Sequence, residues 1–330
     1  MAKLLTKLFN SALLFAILYL LTGWLFFHIR VGDQSVLDLA TRNPVDTGGF
    51  GFTLPRLREA ETWGAVDILF LGSSHTYRSF DPRIFAEYGY RSFNLGTTGQ
   101  TPINSYYILK KYFPKLQPKL IIMDIYRELY DRDGLESFYD LSKNAPFSWE
   151  MVTMALALRT PHALNAALDN FFLTRTGLLD RAQQQPFEHE VYIPGGYVET
   201  HKVYTKTPNP KPRRVELQEF QLDYLRRIID YVHERGSRIV LVSQPEPLEI
   251  LRAVVNYDEI AATFAALAGE KGVRYFDFNF KLPVQTNVHF SDADHLNPAG
   301  VRLYNIALID TLQKYHLLPT PTNGKSSVPH

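Results

Sequence analysis

The sequence carries a serine, a histidine and an aspartate in settings that suit acyl-transfer chemistry. Ser74 follows a short apolar run that ends at a glycine, and an Asp-x-x-His pair, Asp292 and His295, lies near the C-terminus. A serine hydroxyl becomes a nucleophile when a histidine takes its proton, and a carboxylate then fixes the imidazole tautomer and stabilises the imidazolium. The sequence therefore predicts Ser74, His295 and Asp292 as a catalytic triad.

Two turns could supply hydrogen bonds to the negative charge that develops on an attacked carbonyl. A tight turn at Gly72 would place Ser74 at a helix N-terminus, where backbone N–H groups point toward the oxyanion. Gly99 follows the next predicted strand and could add a second amide with no side chain in the way. We predict the amides of Ser74 and Gly99 as the oxyanion donors.

The elements that must position these residues alternate between strand and helix. The pattern predicts strands at 66–71, 91–95, 120–125, 238–243 and 273–276, and helices at 102–113, 216–235, 256–271 and from 298 onward. Such alternation is typical of a parallel sheet covered on both faces, with ligands at the carboxyl ends of the strands. The predicted fold class is therefore α/β with a five-stranded parallel sheet.

Three blocks of the sequence resemble those of the SGNH (GDSL-type) hydrolases. In chain order they are Gly72-Ser73-Ser74-His75, Asn94-Leu95-Gly96-Thr97-Thr98-Gly99 and Asp292-Ala293-Asp294-His295. The resemblance covers 66–130 and 216–315, and it implies a flavodoxin-like three-layer sandwich. It also implies that Ser74 is the nucleophile and one oxyanion donor, that Gly99 is the second donor, and that Asp292 and His295 complete the triad.

One block departs from the pattern of that family. Members usually carry Gly-x-Asn-Asp after the third strand, whereas this chain has Tyr126-Arg127-Glu128-Leu129. We predict Tyr126 and Arg127 as substrate contacts, with Arg127 supplying positive charge, although Arg127 and Glu128 could instead form a local ion pair. With this departure, its Gly-Ser-Ser block and the N-terminal anchor described below, the chain is similar to the D-alanyl transfer proteins of teichoic-acid modification. It is also similar to envelope proteins that act beside membrane O-acyltransferases.

Composition excludes several classes of function. The 330 residues include no cysteine, which rules out thiolate metal centres and a cysteine nucleophile. Lys and Arg number 35 against 34 Asp and Glu, so the chain has no electrostatic footprint for nucleic acid. His289, Asp292, Asp294 and His295 could form a metal site, but the triad already uses two of them. We predict no metal and no cofactor.

The N-terminus predicts a membrane anchor. Residues 8–27 carry no charge and would span about 30 Å as a helix, the thickness of a bilayer core. Lys3 and Lys7 precede this stretch, which favours a cytoplasmic N-terminus and an extracytoplasmic domain. A cleaved signal peptide is the alternative, but no small-x-small cleavage site follows Phe27. The prediction is a single-pass protein of the cytoplasmic (inner) membrane with its domain on the extracytoplasmic or periplasmic side.

The predicted organisation is an anchor at 1–30, a linker at 31–65, a catalytic domain at 66–315 and a disordered tail at 316–330. An insertion at about 130–215 interrupts the domain, since no simple crossover is that long. The predicted function is a serine acyl hydrolase or O-acyltransferase acting on acylated cell-envelope polysaccharide, with a multi-span membrane O-acyltransferase as a possible partner. The alternative is a catalytically silent scaffold or assembly subunit of such a system.

Overall fold

The computed structural model describes residues 1–32 and 34–321. Its α-helices are α1 (Ala2–His28), α2 (Val36–Thr41), α3 (Thr53–Thr62), α4 (Ser74–Ser79), α5 (Pro82–Glu87), α6 (Pro102–Leu116), α7 (Leu135–Asn144), α8 (Trp149–Leu158), α9 (Pro161–Arg175), α10 (Leu178–Arg181), α11 (Glu219–His233), α12 (Leu248–Ala253), α13 (Tyr257–Glu270), α14 (Thr286–His289) and α15 (Pro298–Lys314). Its strands are β1 (Arg30–Val31), β2 (Gln34–Ser35), β3 (Ile68–Leu71), β4 (Ser92–Asn94), β5 (Leu120–Asp124), β6 (Glu190–Ile193), β7 (Tyr197–Thr200), β8 (Arg238–Ser243) and β9 (Arg274–Asp277). Single 3-10 turns lie at Phe50–Phe52 and Arg127–Asp131.

Five strands form a parallel sheet in the order β4-β3-β5-β8-β9. Renumbered along the chain, this order is 2-1-3-4-5, which is the flavodoxin-like arrangement. Strands β3 and β5 are buried along their whole length because helices cover both faces of the sheet, which explains their apolar sequences, interrupted only by Asp124 at the end of β5. The α/β class and the five-stranded parallel sheet predicted from the sequence are confirmed.

The alternation of side chains along β3 separates two apolar layers. Leu69 and Leu71 face one layer with α6, α11 and α13, while Ile68 and Phe70 face the other layer with α5 and α15. Each layer forms one contiguous core, so the sheet is fixed from both sides. Its carboxyl edge, where the predicted site residues follow the strands, is therefore a rigid platform.

Residues 31–65, predicted to be a linker, contain a helix that belongs to the core. Leu57 and Ala60 of α3 are fully buried, and Leu54 joins them at the same three-residue spacing. Arg56, also fully buried, donates hydrogen bonds to the carbonyls of Gly51 and Gly196. The linker prediction is therefore wrong for α3, because the polar composition of the segment did not indicate this short amphipathic helix.

The predicted insertion contains helices α7 to α10 and the β6–β7 hairpin. Helices α8 and α9 are separated by a short break, where Arg159 adopts a left-handed conformation and Pro161 begins the next helix. At the other end of the chain, Leu317 and Leu318 of the predicted tail pack against the core. Residues 322–330 of that tail lie outside the described residues.

Helix α1 is long and apolar enough to cross a bilayer, and its apolar window is not buried within the protein. Its C-terminal third packs on α9 of the insertion. The Tyr19 hydroxyl donates a hydrogen bond to Asn165 at 2.8 Å, and Gly23 lies directly against Leu168. The apolar helix is thus attached to the folded domain through side-chain contacts as well as through the chain.

Candidate active site

The nucleophile candidate lies on a sharp turn between β3 and α4. Gly72 has a φ of +148°, and a Cβ there would stand 2.3 Å from the Thr76 hydroxyl oxygen, so glycine is required. The Ser73 side chain caps α4 by accepting from the His75 amide, which leaves Ser74 as the first helical residue. Ser74 is only partly buried, so its hydroxyl faces the carboxyl edge of the sheet.

The structure brings Ser74, His295 and Asp292 together in one hydrogen-bonded line. Ser74 Oγ lies 3.0 Å from His295 Nε2, and His295 Nδ1 lies 2.9 and 3.0 Å from the two oxygens of Asp292. With its proton on Nδ1, the imidazole donates to Asp292 and accepts from the Ser74 hydroxyl. This arrangement is the one in which a histidine can act as a base toward a serine.

Asp292 is held in place from two directions. Its Oδ1 accepts hydrogen bonds from the amides of Asp294 and His295 in a tight turn. Burial tends to raise the pKa of Asp292, but the hydrogen bond and positive charge of His295 outweigh it, and the pKa lies below its usual range. The carboxylate therefore stays ionised and ready to stabilise an imidazolium.

The loop that carries His295 is anchored to the start of the last helix. Ser291 and His295 are joined by a backbone hydrogen bond of 2.8 Å, and Asn297 caps α15 by accepting from the amides of Ala299 and Gly300. Pro298 occupies the first helical position, where its missing N–H costs no hydrogen bond. The histidine thus projects from a closed turn next to a rigid helix.

Three further side chains contact the triad or one another beside it: His75, Asp294 and the predicted substrate contact Tyr126. Asp294 Oδ1 lies 3.2 Å from His295 Nδ1, and its Oδ2 lies 3.5 Å from His75 Nε2 and accepts from the Tyr126 hydroxyl at 3.3 Å. His75 is 1% exposed and stacks on the Tyr126 ring, with 3.8 Å between ring centroids. Of the three, only His75 was not predicted as part of a site, and its adjacency to Ser74 is the one sequence signal for it.

The charge of Asp294 is strongly favoured in this setting. Burial acts to raise the pKa of Asp294, but the nearby imidazoles of His75 and His295 favour the carboxylate and lower that pKa well below its usual range. The ligand atoms of His75, Asp294 and His295 lie within 4.8 Å of one another, a donor set that could hold a metal ion. Both nitrogens of His295, however, are already engaged by Ser74 and Asp292.

The two predicted oxyanion donors have amides that are not used elsewhere in the described part of the chain. Ser74 is the first residue of α4, whose amide has no intrahelical acceptor. Gly99 is buried in a left-handed turn with φ of +60°, close to Glu136. By contrast, the Gly96 amide donates to the Asn94 side chain and is already satisfied. The oxyanion role of Ser74 and Gly99 stays a prediction.

The two predicted substrate contacts after β5 differ in their surroundings. Arg127 is 3% exposed and both terminal nitrogens of its guanidinium bind Glu246, which follows β8. Its positive charge is therefore already paired, and the picture of Arg127 as a free cation for substrate is corrected. Tyr126 is partly exposed beside the triad, as a substrate contact requires. The sequence around Glu246 does not indicate this ion pair, because Arg127 is distant in sequence and follows a different strand.

No protein-family model matches the sequence, and no curated protein matches it. Among solved structures, a GDSL-like lipase from Bacteroides thetaiotaomicron is similar at 12% identity and a TM-score of 0.40, covering 75% of this chain and 88% of that one. A protein assigned as an acylhydrolase from Bacteroides fragilis has the same identity and TM-score, over 81% and 99%. An acetyl xylan esterase from Butyrivibrio proteoclasticus has 12% identity and a TM-score of 0.33, over 77% and 64%. Structural neighbours thus include GDSL-type lipases and acylhydrolases, the class that the three blocks resemble, while the proposed chemistry depends on the side chains described above.

Proposed function

We propose that the protein is a membrane-anchored serine acyl hydrolase or O-acyltransferase. The observation that carries this proposal is the hydrogen-bonded line from Ser74 through His295 to Asp292, with separations of 3.0 and 2.9 Å. These distances lie in the range for a nucleophile and its base. An orienting carboxylate behind the base is the third element of such a site.

The reaction proceeds in two acyl transfers. His295 Nε2 takes the Ser74 proton as Oγ attacks the ester carbonyl, and the amides of Ser74 and Gly99 donate to the oxyanion. The imidazolium, stabilised by Asp292, gives its proton to the departing alkoxide as the ester C–O bond breaks. His295 then deprotonates water or an acceptor hydroxyl as it attacks the acyl-enzyme carbonyl, and the imidazolium returns that proton to Ser74 Oγ as the Oγ–acyl bond breaks.

The substrates that fit this setting are acyl esters on polymers of the cell envelope. The support is the apolar helix α1, whose length and composition suit a bilayer, together with Lys3 and Lys7 on its N-terminal side. The packing of Gly23 against Leu168 favours a retained anchor over a cleaved signal, since cleavage would expose that contact. The domain then lies on the extracytoplasmic side of the cytoplasmic membrane, where a multi-span O-acyltransferase is a suitable partner.

A fluorophosphonate probe tests the proposal, because it reacts covalently with activated serines. We expect the full-length protein in detergent to be labelled at Ser74, and Ser74→Ala to give no adduct. Ser73→Ala is the matched control, since Ser73 is 1% exposed and its hydroxyl caps α4, so its adduct should remain. A folded wild-type protein that takes no label would contradict the mechanism and favour the catalytically silent scaffold.

A further inference from the structure

A chain of aromatic side chains connects the anchor helix to the outer face of the insertion. Trp24 of α1 lies 5.1 Å from Phe172, which lies 5.4 Å from Phe171, measured between ring centroids. Phe171 lies 5.1 Å from Phe147, and Phe147 lies 6.1 Å from Trp149 at the start of α8. These ring contacts thus link Trp24, near the C-terminal end of α1, to Trp149 on the domain.

Helix α8 presents an apolar face that the described part of the protein leaves uncovered. Trp149 is 75% exposed and Leu156 is 58% exposed, and Val152 and Thr153 lie between them on the same side of the helix. The opposite side packs into the core through Met151 and Met154. Glu150 is the sole charged residue within α8. A helix with apolar residues on both faces needs a second apolar environment.

The position of this face relative to α1 indicates which environment that is. Helix α9 runs beside the C-terminal third of α1, where an outward-facing anchor would leave the bilayer core, and α8 packs on α9. Tryptophan is enriched at that level of a membrane, where its ring is apolar and its N–H reaches water. Exposed Arg175, at the C-terminal end of α9 and over the Phe171 ring, could contact anionic lipid head groups at the level of Trp24.

We propose that the outer face of α8 (Trp149, Val152, Thr153 and Leu156) lies in the outer leaflet of the membrane and, with Trp24, forms one interfacial aromatic belt. The proposal rests on the membrane anchoring proposed above. It gives the domain a second attachment to the bilayer, in addition to the packing of α1 on α9, and both contacts would hold the domain at a fixed tilt on the membrane. The partner of this surface is lipid, and a protein partner on the same face is the contrary outcome.

Fluorescence quenching by brominated lipids tests the proposal on the full-length protein. The tryptophans are Trp24, Trp63 and Trp149, so variants with two Trp→Phe changes each report one position. The proteins are reconstituted in vesicles of phosphatidylcholine and phosphatidylglycerol, with bromine placed near the head groups or deep in the acyl chains. We expect Trp149 emission to be lost with shallow bromines to about the same extent as Trp24 emission. Trp63, which packs on Phe93 within the domain, is the matched control and should not be quenched.

The two proposals fail in different ways. If Trp24 is quenched and Trp149 behaves like Trp63, the anchor is inserted but α8 is not in lipid, and the inference is overturned. If neither is quenched, the anchor proposal falls as well. Protection of Trp149 only after a multi-span protein is added to the vesicles would also overturn the lipid assignment. Thermal melting of each variant shows that the compared proteins are folded.

Discussion

Two carboxylates share the Nδ1 atom of His295, and their surroundings separate their roles. Asp292 places both oxygens within 3.0 Å of that nitrogen and is fixed by two backbone amides. Asp294 Oδ1 lies 3.2 Å from the same nitrogen, and Asp294 Oδ2 accepts from the Tyr126 hydroxyl and lies near His75 Nε2. Asp292 therefore orients the imidazole, while Asp294 links it to the neighbouring aromatic pair.

This division predicts unequal effects when each carboxylate is made neutral. We expect Asp292→Asn to slow labelling of Ser74 by a fluorophosphonate about 10³- to 10⁴-fold, because the amide no longer stabilises the required tautomer and its imidazolium. Asp294→Asn should slow it by about tenfold or less, since Asp292 still holds His295. Labelling rates at saturating probe measure both, and a larger loss in Asp294→Asn would reverse the assignment.

Asp124 is buried beside the Gly72 turn that carries Ser74, and it should make the stability of the folded protein depend on pH. Burial and the charge of Glu246 raise the pKa of Asp124 well above its usual value, against weaker opposing hydrogen bonds from Gln244. The folded state then binds more protons than the unfolded state, so stability falls as pH rises above about 3.9, the unfolded pKa. The loss is about 1.4 kcal/mol per pH unit until the folded pKa is reached.

Asp124→Asn mimics the protonated form and removes this dependence. We expect the melting temperature of the variant to exceed that of the wild type at pH 8, with the difference disappearing near pH 4, where both side chains are neutral. Thermal melts in detergent across this range measure the effect. A constant difference at all pH values would show that Asp124 ionises freely in the folded protein.

The site residues that could be predicted each follow a strand or precede a helix in a recognisable local pattern. Ser74 follows the Gly72 turn, and His295 lies between Asp292 and the Asn297 cap. Arg127 was wrong as a free cation because Glu246 lies 119 residues away in sequence and meets it only when β5 and β8 pair. Such long-range partners leave no trace in a single sequence.

At the scale of elements, the turn between β3 and α4 that carries Ser74 is supported by the loop after β4. A Cβ on Gly96 would stand 2.7 Å from the Ser73 carbonyl oxygen and 2.9 Å from Thr76 Cβ. Both contacts involve the backbone or the first turn of α4, which cannot move without carrying Ser74 along. Close approach of the two loops therefore sets the position of the hydroxyl.

Gly96→Ala should accordingly displace the nucleophile while the sheet remains folded. We expect labelling of Ser74 to slow by roughly 10- to 100-fold, the effect of small displacements of reacting groups. Gly269→Ala is the matched control: its Cβ meets open space on helix α13, so labelling should not change and stability should rise by about 0.5–1 kcal/mol. Unchanged labelling in Gly96→Ala would show that the turn is not set by this contact.

The central strands of the sheet were predictable because buried parallel strands are continuous apolar runs, as β3 is. Helix α3 was not, since its buried positions Leu54, Leu57 and Ala60 alternate with charged residues in a short, glycine-flanked segment. The burial of Arg56 within that helix depends on carbonyls of Gly51 and Gly196 that only the folded chain supplies. Local composition therefore predicted the uniformly buried strands but not helix α3, which has both buried and exposed residues.

For the whole molecule, the contact between α1 and α9 sets the orientation of the domain relative to the apolar helix α1. Gly23 lies against α9, where a Cβ would stand 2.3 Å from a Leu168 methyl carbon. Tyr19 and Asn165 add a hydrogen bond one turn away. The small residue lets the two helices approach closely, as at packed helix pairs in membranes.

A bulky residue at this point should separate the domain from its anchor. We expect Gly23→Leu to lose amide hydrogen-exchange protection in α9, because the leucine cannot share the space of Leu168, while protection in the central sheet is kept. Ala12→Leu adds a leucine side chain to the same helix at an exposed position and is the control that should leave α9 unchanged. Exchange measured by mass spectrometry on the reconstituted full-length protein distinguishes the two variants. Equal protection of α9 in both would mean that the anchor carries the domain by the chain alone, in which case the tilt of the active site toward the membrane would have to be set by α8.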